Sequence, residues 1–342
     1  MTRSQYGKLL IDGQDAFADY GLFVEHGGFK SLVQMPSFKT IDKTDWPEED
    51  GEEYDLAAPM LQAQSVQLQF VILNVRYAED LFDELSNGAY HTFYFADLKR
   101  TYRLRMTSNG TFSQNVVLGK LTLTFNNDFP VVPTAEPYRH GASDVKQFGY
   151  ELDNIDFSQF GAFVLKGSDD ALRKAANVKK ALTIDVKSQG GVIYDDDSVR
   201  FTSKDVQLKL LINAQNIDEF WRRYDALFAV LLQADERTFY FDALGNEYDC
   251  FYKSSSVSKF EILHNNHVWC EFSVTLTFTS WRPVGQYMLL ATEDYDWVIT
   301  EDSTESDYTR IRIRPKRGIM LIVTEDGEYL ITEDEYKIYS NS

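Results

Sequence analysis

The chain carries one supersecondary unit twice, and this limits its fold more than any other feature. In the later copy, Val206, Leu208 and Leu210 alternate with Gln207 and Lys209, the period-2 pattern of a half-buried strand. Asn216 then caps a helix with Glu219 at its third position, and Ile217, Phe220, Trp221, Tyr224, Leu227, Phe228 and Leu231 form one broad apolar stripe. Thr238–Asp242 closes the unit as an aromatic strand. The earlier copy is Val66–Ile72, a helix around Ala78–Leu85, and Thr92–Ala96. Val66 to Val206 is an offset of 140 and Thr92 to Thr238 one of 146, so the second helix is longer by nearly two turns. The match extends upstream, where Phe17–Val24 pairs with Phe157–Val164 at 140, and downstream, where Leu121–Phe125 pairs with Val274–Phe278 at 153. Collinear matches with small drift are the mark of a tandem duplication of a domain of about 130 residues.

The expected fold class is mainly β (α+β). Two tandem β-barrel or sandwich domains, at 1–135 and 151–286, each carry one packed helix. A linker at 136–150 follows the proline-rich Phe129–Pro137, which no central strand accommodates. Residues 287–342 differ: Thr-Glu-Asp recurs at 292, 300, 324 and 332 between short apolar runs, with Asp326-Gly327 a hairpin candidate. Thirteen acidic against six basic residues give this β-hairpin segment a net of −7, with Arg310, Arg312 and Arg314 forming a basic stripe. It is too small for a large core and is expected to dock on the second domain or on a partner.

Within the first domain, Lys8–Ile11 reads as a strand turning at Asp12-Gly13, and Tyr20–Glu25 as a second strand. Asp97–Arg100 and Ser108–Thr111 read as hairpin turns. The least core-like stretch, Asp42–Leu56, contains Trp46, Pro47, Glu48, Glu49, Asp50 and Tyr54 and is expected to be an exposed loop or a hairpin arm. Its aromatics either tack it back onto the domain or contact a neighbouring subunit. The equivalent place in the second copy is again acidic at Asp195, Asp196 and Asp197, without the spacing of a calcium loop.

Chemistry is sparse. The two cysteines, Cys250 and Cys270, fall on neighbouring strand-like segments and read as buried reduced thiols. His264 and His267 share a turn with no third ligand nearby, and His91 has Arg237 at its equivalent place, so the duplicated fold does not require it. There is no nucleophile elbow, phosphate loop or dinucleotide fingerprint, and neither an enzyme nor a cofactor or metal site is expected. No run of eighteen apolar residues suggests a membrane helix. The formal charge of −19 disfavours gripping nucleic acid, though an acidic wall suits nucleic acid sliding past.

The element order, the pattern Phe17-x-x-Tyr20-Gly21-Leu22-x-Val24, and the segments Asp12–Val24, Trp46–Gly51, Val66–Ile72 and Thr92–Phe95 resemble the distal tail protein family of long-tailed phages. They also resemble the wider tail-tube fold shared by tube and baseplate-hub proteins. The second copy departs from the pattern, lacking the Trp-Pro-Glu-Glu-Asp-Gly element and carrying Ala162 for Leu22. The resemblance implies tail-tube-like domains and a trimeric or hexameric ring. It further implies other tail proteins (tube, tail fibre or hub) as partners, DNA passing through a channel, and a place in the virion after synthesis in the bacterial cytoplasm. The alternative is a monomeric β-rich module binding carbohydrate or protein, with Trp46, Trp269, Trp281 and Trp297 as candidate aromatics; Trp269 and Trp281 read as core.

Overall fold

The computed structural model describes residues 5–134 and 149–281, apart from 74, 115–118, 180–182, 186, 189, 195–198 and 245. Beyond 281 it describes only the backbone of Arg312–Ile313, Met320–Val323 and Tyr339–Ser340. The first half contributes β1 (Leu9–Ile11), β2 (Gln14–Asp15), β3 (Leu22–Val24), β4 (Lys43–Thr44), β5 (Glu53–Tyr54), β6 (Gln64–Ile72), β7 (Tyr90–Phe95), β8 (Arg100–Gln114) and β9 (Gly119–Asn127). Its helices are α1 (Ala16–Tyr20), α2 (Lys30–Val33) and α3 (Ala78–Leu85). The second half contributes β10 (Tyr150–Leu152), β11 (Ile155–Asp156), β12 (Ala162–Val164), β13 (Thr183–Asp185), β14 (Val192–Tyr194), β15 (Lys204–Ala214), β16 (Arg237–Phe241), β17 (Asn246–Ile262) and β18 (Val268–Phe278), with α4 (Ser168–Arg173) and α5 (Ile217–Leu231).

The protein is mainly β, with two half-barrel sheets of seven strands. Their orders are β2-β1-β7-β8-β9-β6-β3 and β11-β10-β16-β17-β18-β15-β12, so adding nine to every strand of the first gives the second. The duplication seen as offsets is therefore a duplication of topology. It extends to backbone detail. Asp12-Gly13 and Asp153-Asn154 turn β1 into β2 and β10 into β11 with left-handed φ at both positions, the mirror-type turn that tight hairpins favour. Asp15 and Asp156 cap the following turns, which end at Gly21 (φ 64°) and Gly161 (φ 62°). Phe38 bridges Leu61 as Val178 bridges Phe201.

Each sheet buries one face. In β6 the alternation puts Val66, Leu68 and Phe70 inside, and in β15 Val206, Leu208, Leu210 and Ile212. The stripe on α5 is buried throughout, and Asn216 caps it by accepting from the Glu219 amide at 2.9 Å, while the Glu219 carboxylate reaches back to the Gln215 amide. The first helix spans eight residues and the second fifteen.

Two local expectations are corrected. Ser108–Thr111 is no turn: β8 runs through it to Gln114, with register shifts against β9 at Met106/Ser108 and Ser108/Thr111. The Asn-Gly pair is spent on a bulge in a long strand. Tyr20 belongs to a short helix rather than to a strand, because the Asp15 side chain caps Phe17 and Gly21 supplies the left-handed stop. Among the C-terminal strands, Arg312 pairs Val323 and Leu321 pairs Tyr339. The Thr-Glu-Asp repeats, Asp326-Gly327 and Trp297 lie outside the described residues, as does most of the 136–150 linker.

Candidate assembly interface

Among the described residues, the most elaborate polar constellation joins one half to the other. It has three parts, all supplied by the first half. The loop after α2 points its carbonyls at aromatic hydroxyls of the second half. Val33 O accepts from Tyr224 Oη at 2.8 Å, Met35 O from Tyr252 Oη at 3.1 Å and Ser255 Oγ at 3.0 Å, and Pro36 O from Tyr252 Oη at 2.9 Å. The Phe38 ring packs edge-on against Tyr252 with centroids 5.4 Å apart. Buried phenols need acceptors, and these carbonyls are lone-pair sites that no sheet uses.

The β7–β8 turn is the second part. Leu98 O accepts from Trp221 Nε1 at 2.7 Å, Arg100 lies 3.5 Å from the centre of the Trp221 ring, and Arg100 and Lys99 pair with Asp225 and Asp218. Burial raises the Asp225 carboxyl above its usual range, and Arg100 opposes that shift.

The acidic stretch is the third part. β4 and β5 pair as a hairpin arm, and the arm lies on the second half of the same chain. Gly51 N donates to Phe201 O at 2.7 Å, Phe201 N to Asp50 Oδ1 at 2.9 Å, and Glu52 N to Thr279 O at 2.9 Å. The Tyr54 ring packs tilted against Phe251 with centroids 4.8 Å apart, and its hydroxyl sits 3.0 Å from Ser203 Oγ. Lys179 reaches Asp45 and donates to Trp46 O at 2.8 Å. Burial pushes the Glu52 carboxyl up, but hydrogen bonds from Lys43, Ser203 and Tyr54 outweigh it and leave it at about 2.

Of the residues singled out in the sequence, Asp50 and Tyr54 thus meet the second half directly. Trp46 contributes its carbonyl there, while its ring stays 49% exposed with Nε1 on Glu53. Pro47, Glu48 and Glu49 form the exposed tip. Asp195, Asp196 and Asp197 lie outside the described residues. The sequence reading missed the α2 loop and the β7–β8 turn. A copy-against-copy comparison carries the signal: Val33 stands where the second copy has charged Arg173, and Met35 and Phe38 where it has the smaller Ala175 and Val178.

Between the halves runs an open cleft of about 840 Å³, with Lys39, Lys43, Lys174, Lys204 and Lys253 on its walls. Burial, reinforced by Lys174, brings the Lys204 ammonium down to about 8, and it donates to the carbonyls of Leu172 and Lys174. Glu52 and Asp205 neutralise Lys43 and Lys253.

His91 is buried with Nδ1 2.7 Å from Asp12, and Arg237 holds Asp153 at 3.1 Å. The two are equivalents after all: each clamps the turn aspartate that also accepts the amide of Thr92 or Thr238. His264 and His267 flank the β17–β18 turn, and Cys250 and Cys270 are free and buried, their thiols raised by burial. Among the described residues no group of three or more metal-binding side chains forms, and no helix is long and apolar enough to cross a membrane. Trp281 is buried, and Trp269 is half-buried with Nε1 on Glu271.

No family model matches the chain, and neither does any curated protein. Among solved structures, a neighbour is the SPP1 Dit (gp 19.1) protein, described as a paradigm of the hub adsorption apparatus in phages infecting Gram-positive bacteria. The likeness covers 79% of this chain and 98% of that one, at 14% identity and a TM-score of 0.28.

Proposed function

We propose that this chain is a structural component of a phage or prophage tail tip: a ring-forming distal tail or baseplate hub protein that joins the tail tube to the baseplate. The observation that carries this reading is the clasp itself. A repeated sheet grips its own repeat through a loop, a turn and an arm, the kind of heterologous joint from which rings are built. In this reading residues 1–135 and 151–286 are two tail-tube-like domains, 136–150 is the linker, and the acidic 287–342 contacts other tail proteins. Short open edge strands, β2 and β3 in one sheet and β11 and β12 in the other, would be covered by neighbours in the ring. The role is architectural, without catalytic residues or cofactor.

The net charge of −19 fits a channel wall past which DNA slides. The protein should therefore give no shift of duplex DNA at about 0.15 M salt, where exposed charges are screened beyond about 8 Å; tight binding there would contradict the channel reading. The direct test is immunogold labelling of tailed particles with antibodies against this chain. Gold confined to the tail end distal to the capsid is expected. Tails that stay unlabelled while free protein in the lysate is recognised would overturn the assignment.

A further inference from the structure

Charge is unevenly spread over this chain. It carries 53 acidic residues against 34 basic ones, yet among the described residues the walls of the cleft between the halves hold five lysines and two carboxylates. Both carboxylates are engaged. Glu52 accepts from Lys43 at 2.7 Å, and Asp205 from Lys253 at 2.6 Å and from Thr277 Oγ1 at 2.7 Å. Three ammonium groups remain. Lys204 is half-buried and donates to the Leu172 and Lys174 carbonyls at 2.7 Å, acceptors that satisfy its protons without cancelling its charge. Lys39 and Lys174 are exposed, and among the described residues neither ammonium pairs with a carboxylate. Burial, and then the like charge of Lys174, bring the Lys204 ammonium down to about 8, as expected of a positive group short of a counterion.

The missing charge is available on the same chain. Between Arg282 and Arg310 there is no lysine or arginine, while Glu293, Asp294, Asp296, Glu301, Asp302, Glu305 and Asp307 all fall there. The chain enters that stretch beside the cleft. Trp281 is buried with its ring 4.5 Å from the Lys204 ammonium, and β18, which leads to it, lines the cleft at Thr277. Glu293 lies twelve residues beyond Trp281, and an extended chain of that length spans up to about 40 Å. Tethering holds such a segment at an effective concentration on the order of millimolar, so a few individually weak ion pairs suffice to seat it.

We infer that residues 293–307 dock in this cleft, with their carboxylates against the ammonium groups of Lys39, Lys174 and Lys204. Lys39 belongs to the first half and the other two to the second, so an occupant that pairs with all three reinforces the joint between the halves. Residues 308–342 are left for contacts with other proteins. This placement does not depend on the tail-tip role.

The full-length protein is acetylated with limiting acetic anhydride, and the extent at each lysine is read by mass spectrometry. Exposed Lys30, outside the cleft, is the internal control. The same is done on a variant carrying Glu293→Gln, Asp294→Asn, Glu301→Gln and Asp302→Asn. Acetylation of Lys39 and Lys174 should rise by roughly threefold or more in the variant, the scale of an exposed ion pair, with Lys30 unchanged. In parallel, a mixture of isotopically heavy and light protein is treated with a zero-length carbodiimide over a concentration series. Links from Lys39 or Lys174 to residues 293–307 should form within single chains at every dilution. Equal acetylation of the two proteins would overturn the inference. Links that are absent, or confined to mixed heavy–light pairs, would overturn it as well, the latter by making a second copy the source of the occupant. Protection of both lysines by millimolar inorganic phosphate, equal in the two proteins, would overturn it in favour of a free anion.

Discussion

Gly51 and Gly191 occupy one place in two arms, and the difference between them isolates what the clasp costs and contributes. A left-handed backbone penalises any Cβ by roughly 1–2 kcal/mol, so Gly191→Ala should destabilise by about that much. Gly51→Ala carries the same penalty and in addition drives a methyl into Thr279 O, so its loss in denaturant unfolding should be at least about twice as large. Equal losses would mean that the arm lifts off freely. Glu52 gives the clasp a pH signature. Its carboxyl is lowered from 4.5 to about 2, so its contribution is present above pH 4.5 and is lost as pH falls toward about 2. An acid titration of unfolding stability should be shallower for Glu52→Gln than for the unsubstituted chain across that window; identical curves would remove Glu52 from the clasp. Roles at this scale were only partly legible in the sequence. His91 and Arg237 look unrelated as letters, yet each clamps a turn aspartate, because an imidazole and a guanidinium both place a nitrogen within hydrogen-bonding distance, 2.7 and 3.1 Å.

Periodicity made α5 legible, and its cap box and stripe are where the sequence put them. What the stripe covers was not legible. Period 3.6 identifies a buried face without saying who buries it. Trp221 and Tyr224 turn out to send their polar atoms to Leu98 and Val33 of the other half. α5 thus bears on the joint between halves as well as on its own sheet. Trp221→Ala should cost about 3–5 kcal/mol, as large aromatic truncations do. Trp221→Phe, which keeps most of the area and leaves the Leu98 carbonyl without its donor, should cost about 1–3 kcal/mol. A loss below about 1 kcal/mol for the alanine variant would mean the ring is not packed as described. The arm was legible as an exposed loop or hairpin arm because its charges exclude it from a core. Its destination was not, since the carbonyls and amides it meets at Phe201 and Thr279 are main-chain groups that no sequence pattern marks. Deleting residues 45–53 should preserve the strand signal in circular dichroism while lowering the unfolding midpoint; loss of that signal would make the arm part of the sheet's own core.

At the scale of the molecule, the duplication was the most legible property, because offsets of 140 to 153 survive in the apolar letters that fill two equivalent sheets. The joint between the copies was the least legible, since it uses the positions where the copies have diverged. The most direct measurement is the mass in solution by light scattering, with negative-stain images of the same peak. The account expects a small multiple of 39.4 kDa, with a central hole in face views. A particle of single-chain mass at every concentration, compact and without a hole, would contradict it.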